Sequence, residues 1–198
     1  LNRAFYGVPI FTNSEGLHTN AVFGFLNIMF KIIDSKQPDY MAVAFDVHQP
    51  TFRHEMFKDY KGTRKPMMEE LREQVPVIKE LLQKMNITTV ELPGYEADDV
   101  IGTLSKKGEK AGMEVDVISG DRDLLQLASD HITICIPKTK KGQTTVEEYN
   151  TEGVRKLYKV TPTEFIDVKA LMGDSSDNIP GVPGIGEKGA TAIISQFG

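Results

Sequence analysis

The alternation of apolar and polar positions divides the chain into helices and strands taken in turn. From Ala21 to Ile33 the residues Val22, Phe25, Leu26, Met29, Phe30 and Ile33 fall on one helical stripe, which predicts a core-facing helix. Tyr40-Met41-Ala42-Val43-Ala44-Phe45 is a short, almost wholly apolar run ending in Asp46, the pattern of a strand buried on both faces of a parallel sheet. Glu69 to Met85 carries Val75, Ile78, Leu81, Leu82 and Met85 at helical spacing, with a kink expected at Pro76. Ile87 to Leu92 reads as the next strand, followed by a helix with Val100, Ile101 and Leu104 that Gly112 ends. Met113 to Ser119 is a further strand, running into a short helix with Leu124, Leu125 and Leu127. Ile132 to Ile136 is another strand, and Lys138-Thr139-Lys140-Lys141-Gly142 looks like a hairpin turn returning through Thr144 to Tyr149. Helices follow near Thr151 to Lys159 and from Thr161 to Leu171, the second opened by a Thr161/Glu164 capping box with Pro162 in its first turn. A last helix spans Gly189 to Phe197. The β-α-β-α order predicts an α/β fold with a mostly parallel central sheet flanked by helices.

Acidic residues recur where these elements end. Tyr95-Glu96-Ala97-Asp98-Asp99-Val100-Ile101-Gly102 crowds three carboxylates into four positions at a helix start. Asp46 closes one strand, Asp121 and Asp123 follow another, and Asp174 and Asp177 follow the helix that ends at Leu171. In open parallel sheets the carboxyl ends of the strands are where ligands bind. Two unit charges about 4 Å apart repel by roughly 4 kcal/mol at an effective dielectric near 20, so such crowding asks for a cation. A plainer reading stays open, since acids in the first turn of a helix offset its dipole. Oxygen donors with no His or Cys beside them favour Mg²⁺ or Mn²⁺ over zinc. Eight carboxylates exceed what one Mg²⁺ uses, and a two-ion site suits in-line hydrolysis of a phosphodiester. His18, His48, His54 and His131 show no ligand spacing and read as surface or structural residues.

Two further stretches bear on a phosphate partner. From Thr51 to Lys65 the basic residues Arg53, His54, Lys58, Lys61, Arg64 and Lys65 interleave with Phe52, Phe57 and Tyr60. Such a mixture contacts phosphates and stacks on bases, or is simply a solvated face. The lysines near residue 140 admit the same two readings. Pro180-Gly181-Val182-Pro183-Gly184-Ile185-Gly186-Glu187-Lys188 then opens into the last helix, where backbone N–H groups approach a phosphate and Lys188 adds charge. It lacks the Gly-Lys-Ser/Thr ending of a nucleotide-binding P-loop and has no strand immediately before it, which speaks against an ATP site.

Composition narrows the setting. The 198 residues suffice for one full-sized domain or one with a small appendage. A formal net charge of −5 argues against nucleic acid when taken whole, yet cations bound at an acidic site would leave a basic surface elsewhere. The single cysteine, Cys135, sits in an alternating apolar run and reads as a small buried side chain in a reducing, cytosolic setting. No apolar stretch approaches the length of a membrane span, and no signal segment opens the chain. The chain begins at Leu1 without Met and stops at Gly198 directly after a helical pattern, so it is expected to be a piece of something longer.

Along nearly its whole length the sequence resembles the 5′ nucleases that form the N-terminal domain of bacterial DNA polymerase I and are related to the flap endonucleases. The resemblance rests on Arg3-Ala4-Phe5, Ala44-Phe45-Asp46, Thr51-Phe52-Arg53-His54-Glu55, Tyr60-Lys61-Gly62-x-Arg64, Tyr95-Glu96-Ala97-Asp98-Asp99, Ser119-Gly120-Asp121-Arg122-Asp123, Gly173-Asp174-x-x-Asp177-Asn178 and the final Pro-Gly-x-x-Gly-Ile-Gly-Glu-Lys. It implies a PIN/5′-nuclease-like core over residues 1–160 with a helical arch at about 51–84, and a helix-hairpin-helix DNA-binding region over 161–198. It implies a structure-specific 5′-3′ exonuclease and flap endonuclease acting on DNA with a 5′ flap, nick or RNA primer, in one chain with a polymerase domain, monomeric, in the bacterial cytosol or nucleoid. By the same resemblance Asp46, Glu96 and Asp98 would hold the first Mg²⁺ or Mn²⁺, and Asp121, Asp123, Asp174 and Asp177 the second, with Asp99 serving either. Arg53 and Lys61 would contact the scissile phosphate with Tyr60 placed to stack. Arg3, Arg64, Lys65, Gly184, Gly186 and Lys188 would contribute to DNA binding, with K⁺ at the hairpin turn. The family pattern opens with a strand ending in Asp-Gly-Asn-Ser ahead of the residue matching Leu1, and that Asp belongs to the metal site; a non-catalytic duplex-binding module is the alternative.

Overall fold

The computed structural model describes residues 1–140 and 143–198. In chain order the elements are α1 (Asn2–Gly7), α2 (Asn20–Lys36), β1 (Ala42–Ala44), α3 (Phe52–Met56), α4 (Glu69–Arg72), α5 (Gln74–Lys84), β2 (Thr88–Val90), α6 (Ala97–Lys110), β3 (Val115–Ile118), a 3-10 helix (Arg122–Leu127), β4 (Ile132–Lys140), β5 (Gln143–Tyr149), α7 (Thr151–Tyr158), α8 (Glu164–Met172) and α9 (Glu187–Phe197). They gather into two compact units. The first comprises Leu1–Phe45, Lys65–Glu91 and the described part of Lys138–Thr145; the second comprises Asp46–Arg64, Leu92–Pro137 and Val146–Gly198.

In the first unit β1 and β2 pair in parallel, Ala42 opposite Thr88 and Ala44 opposite Val90. Met41, Val43 and Phe45 share one face of the strand, because side chains alternate with a period of two. They pack with Val22, Met29, Ile78 and Leu82 of α2 and α5. Ala42 is exposed, so β1 is covered on one face rather than the two its apolar run suggested. Phe30, placed on the core stripe of α2 by its spacing, is 43% exposed. The expected single helix over 69–85 is instead two. Pro76 has no N–H for the Arg72 carbonyl and its ring crowds that group, so the helix breaks at Glu73 and restarts with Pro76 in the first turn of α5. Buried Gln74 steadies the junction, its amide accepting from Ala21 N at 2.7 Å and donating to Asn20 at 3.1 Å.

In the second unit β3 and β4 pair in parallel, Val115 opposite Ile132 and Ile118 opposite Cys135, and β5 adjoins β4. The core combines Val117, Leu124, Leu125, Ile132, Ile134 and Ile136 with Val154, Phe165, Val168, Ala190 and Ile194, so α7, α8 and α9 cover this sheet. Cys135 is fully buried. The Lys141-Gly142 tip of the expected hairpin lies outside the described residues. The capping box ahead of α8 is present, with Thr161 N donating to Glu164 Oε2 at 2.7 Å and Glu164 N to Thr161 Oγ1 at 3.1 Å. Among the described residues no helix is long and apolar enough to cross a membrane.

Candidate metal and phosphate site

The acidic stretch at the start of α6 does two jobs. Glu96 is the N-cap, and its main-chain N–H donates to Asp99 Oδ2 at 2.9 Å while its own carboxylate accepts from the backbone of the third helical residue. Two acids thus form the capping box usually built from Ser or Thr with Glu, as the plain helix-dipole reading allows. The second job lies in what else these carboxylates meet. Arg53, on α3, donates to both oxygens of Asp99 at 2.7 and 2.8 Å in a planar fork. That pairing holds the Asp99 carboxyl below its ordinary value. Lys61 Nζ lies 2.6 Å from Glu96 Oε1. The Tyr60 hydroxyl is 3.0 Å from Glu96 Oε2 and 3.0 Å from Asp177 Oδ2, and Arg64 pairs with the other Asp177 oxygen. A phenol carries one proton, so it donates to one of those carboxylates at a time. Burial, with Asp177 and Glu96 beside it, pushes that phenol well above its ordinary value.

Asp98 stands differently. Among the described residues it has no hydrogen-bonding or ion-pair partner, and burial, with Asp121, Asp46 and Glu96 nearby, raises its carboxyl from 3.8 to about 6. Four carboxylates from three places in the sequence therefore sense one another there. Asp46 follows β1 and accepts from Ala97 N at 2.8 Å, anchoring it to the start of α6. Asp121 follows β3 and caps the 3-10 helix through Asp123 N at 2.8 Å.

A second cluster forms around Lys169, on α8. Its Nζ lies 2.9 Å from Asp123 Oδ1 and 2.9 Å from Asp174 Oδ2. Burial opposes the lysine's charge, but the two carboxylates outweigh it and raise its pKa above the ordinary value. Burial also works against the charge of Asp174, yet the Ser176 hydroxyl at 2.6 Å and Lys169 overcome it and hold the carboxyl at about 2. Asp123 is pushed up by burial in spite of Lys169. Lys169 belongs to none of the sequence motifs. The available signal was a lone cation in the apolar run Val168-Lys169-Ala170-Leu171-Met172, which needs a partner when its helix is half-buried.

The loop that presents Asp174 and Asp177 is closed by glycine. A Cβ on Gly173, whose φ is +69°, would fall 2.3 Å from Gly181 N, and one on Gly181 would fall 2.3 Å from the carbonyl carbon of Met172. The crossing brings Val182 N within 2.8 Å of Leu171 O and pairs Asp174 with Ile179. The basic segment is tied to this loop through Lys61 N to Asp177 O at 2.8 Å, Asn178 Nδ2 to Asp59 O at 2.8 Å and Arg64 Nε to Ser176 O at 3.1 Å. Lys61 and Asn178 both adopt left-handed backbone, φ 56° and 59°, which is uncommon for non-glycine residues and costly enough to need such support.

All eight predicted acids, with Arg53, Tyr60, Lys61 and Arg64, belong to the second unit. Arg3 and Lys65 belong to the first, and both are exposed. Tyr60 departs from its expected role as a stacking platform: it is 5% exposed, with the His54 ring edge-on at 5.2 Å and Lys61 Nζ 5.0 Å from its centre. Its hydroxyl is what draws it inward. Arg53 and Lys61 are turned mainly toward carboxylates, while Arg64 pairs with Asp177 and stays half exposed. His54 is structural, its Nδ1 accepting from Thr51 N at 3.1 Å to cap α3. Gly184, with φ +82°, and Gly186, the N-cap of α9, border open space, and Lys188 is exposed. Eight carboxylates against Arg53, Lys61, Arg64 and Lys169 leave an excess of four negative charges when all are ionised. An oxygen-only donor set with that excess suits hard divalent cations. Among the described residues no three His, Cys, Asp or Glu side chains stand together as a ready coordination shell; the arginines and lysines take up the carboxylate oxygens instead.

Residues 1–159 match the family model described as 5′-3′ exonuclease, N-terminal resolvase-like domain, and residues 160–198 match that of the 5′-3′ exonuclease C-terminal SAM fold. The chain is 54% identical over 196 residues to DNA polymerase I of Bacillus caldotenax, covering 99% of this chain and 22% of the relative. It is 54% identical over 195 residues to DNA polymerase I of Bacillus subtilis, covering 98% and 22%. It thus spans about a fifth of the length of these relatives. Among solved structures it is similar to the T5 5′-exonuclease with divalent zinc bound, at TM-score 0.74 and 28% identity over 89% of this chain and 67% of that one. It is also similar to the bacteriophage T5 flap endonuclease in a pseudo-enzyme–product complex with DNA and metal ions, at TM-score 0.73 and 28% identity over 89% and 66%.

Proposed function

Because the chain belongs to the 5′-3′ exonuclease family, we propose that it is the 5′ nuclease part of a DNA polymerase I-type protein, a divalent-metal-dependent 5′-3′ exonuclease and flap endonuclease. The observation that carries this reading is Asp98: among the described residues it has no hydrogen-bonding or ion-pair partner, and burial with the charges of Asp121, Asp46 and Glu96 raises its carboxyl to about 6, with Lys61 only partly offsetting them. Asp46, Glu96 and Asp98 would hold a first Mg²⁺ or Mn²⁺, Asp121, Asp123, Asp174 and Asp177 a second, and Asp99 either. When bound, the two ions supply a lowered pKa for the attacking water and neutralise charge on the entering and leaving oxygens of the phosphodiester. The chain's own cations do the rest. Arg53 and Lys61 exchange their carboxylate partners for the scissile phosphate, with Arg64, Lys65 and Arg3 along the DNA backbone. The glycine turn at Gly184 and Gly186, with Lys188, grips duplex phosphates without reading bases, with K⁺ at the turn.

The substrate is DNA bearing a 5′ flap, a nick or an RNA primer. We place the boundary between nuclease core and helix-hairpin-helix region near residue 160, and assign the protein to the cytosol as a monomer. Cleavage of a 5′-flap DNA is expected in Mg²⁺ and not in chelator, and Asp121→Asn is expected to abolish cutting while flap binding persists. Cutting by Asp121→Asn at the unmodified rate would refute the assignment. The ion pairs that occupy the acids favour one other reading, a non-catalytic duplex-binding module. Equal inactivity of the full-length parent in Mg²⁺ and in chelator would support it.

A further inference from the structure

The ammonium of Lys169 bridges carboxylates from two separate elements, Asp123 at the 3-10 helix and Asp174 after α8, at 2.9 Å to each. This is the placement a bridging cation takes between two acids, achieved by a covalently tethered one. The side chain is three-quarters buried, 23% exposed, so the pair is screened less than a surface contact. It is also removable. Lysine carries its charge on a flexible four-carbon stem, unlike the planar fork that Arg53 sets against Asp99, and can swing to water when a stronger cation arrives.

We propose that Lys169 is a built-in counter-ion for the Asp123/Asp174 half of the site: it holds these carboxylates together in the metal-free protein and must be displaced for a divalent ion to bridge them. This rests on the two-ion reading above and adds a positioning residue to it. Removing the ammonium then has opposite effects in the two states. Without metal, Asp123 and Asp174 lose the cation between them and the fold weakens. With metal, the competitor is gone and the ion binds more tightly.

Lys169→Met keeps the apolar stem and removes the charge, whereas Lys169→Arg keeps the charge. Mn²⁺ binding is followed by calorimetry and by the fraction of free Mn²⁺ in electron paramagnetic resonance, and thermal unfolding is followed in chelator. Lys169→Met is expected to bind Mn²⁺ about three- to tenfold more tightly, on the scale of one partly screened ion pair. It is also expected to unfold at lower temperature in chelator, while Lys169→Arg stays near the unmodified protein in both. In an Asp123→Asn background the gain from Lys169→Met should vanish, which localises it. Unchanged or weaker Mn²⁺ binding by Lys169→Met, or equal tightening by Lys169→Arg, overturns the counter-ion role. Failure of both the unmodified protein and Lys169→Met to bind Mn²⁺ overturns the two-ion reading itself, a result distinct from equal binding by the two.

Discussion

Asp98 carries the least compensated charge among the acids of the site. Its carboxyl is raised from 3.8 to about 6 by burial and by Asp121, Asp46 and Glu96. A carboxyl held above its unfolded value contributes stability that is complete below 3.8 and lost as pH rises through about 6, because the folded state keeps the proton longer. In chelator, Asp98→Asn is therefore expected to be more stable than the unmodified protein above about pH 7, by up to about 3 kcal/mol, with the difference closing below about pH 4. Urea unfolding at the two pH values checks this; a pH-independent difference would mean that the neighbouring carboxylates do not press on Asp98. In Mg²⁺ the sign should reverse, since asparagine is the poorer ligand.

At the scale of elements, the loop between α8 and α9 depends on two glycines for different reasons. Gly181 is fixed by contact, since a Cβ there would overlap the Met172 backbone. Gly181→Ala should cost roughly 1–3 kcal/mol and displace Asp174 and Asp177 together. Gly186 borders open space, so Gly186→Ala should cost under about 1 kcal/mol as a poorer N-cap, while weakening duplex binding if backbone there approaches phosphate. Measuring stability and duplex affinity for both variants separates the two roles. The Thr161/Glu164 capping box gives a cleaner case: Thr161→Ala should cost about 1 kcal/mol with metal and DNA binding unchanged. Elements of this kind were legible from residues a few positions apart, whereas at Pro76 the sequence pointed to a kink and the structure has a break. Burial was not: Phe30 and Leu104 sit on apolar stripes and are 43% and 41% exposed.

For the molecule as a whole, the net charge of −5 is a poor guide to partners, because eight acids are drawn together in the second unit and four cations are set against them. Divalent ions that bind the folded state alone should raise the unfolding temperature with increasing concentration, by mass action. The same ions should strengthen duplex binding, since neutralising Asp99, Glu96 and Asp177 releases Arg53, Lys61 and Arg64 for phosphate. Lys188→Ala should weaken binding evenly across DNA sequences and lower the slope of log affinity against log salt by about 1. A slope unchanged by that substitution would remove Lys188 from the interface.

By itself the sequence determined most of the elements, their order, the parallel pairing and the identity of the acids, because these follow from periodicity, turn chemistry and residues at element ends; the short helices α1 and α3 and the division of 69–85 into two were not read from it. It also carried the family, through motifs spread from Arg3 to Lys188. Tertiary structure alone decided which charge meets which. That Arg53 forks onto Asp99, that the Tyr60 ring is turned inward by two carboxylates, and that Lys169 stands between Asp123 and Asp174 depend on contacts between residues 36 to 117 positions apart in most cases. Electrostatic partnership falls off with distance in space and is indifferent to distance along the chain. The crowded helix start at Glu96-Ala97-Asp98-Asp99 shows both levels at once, a capping box legible within four residues and a carboxylate cluster assembled only by the fold.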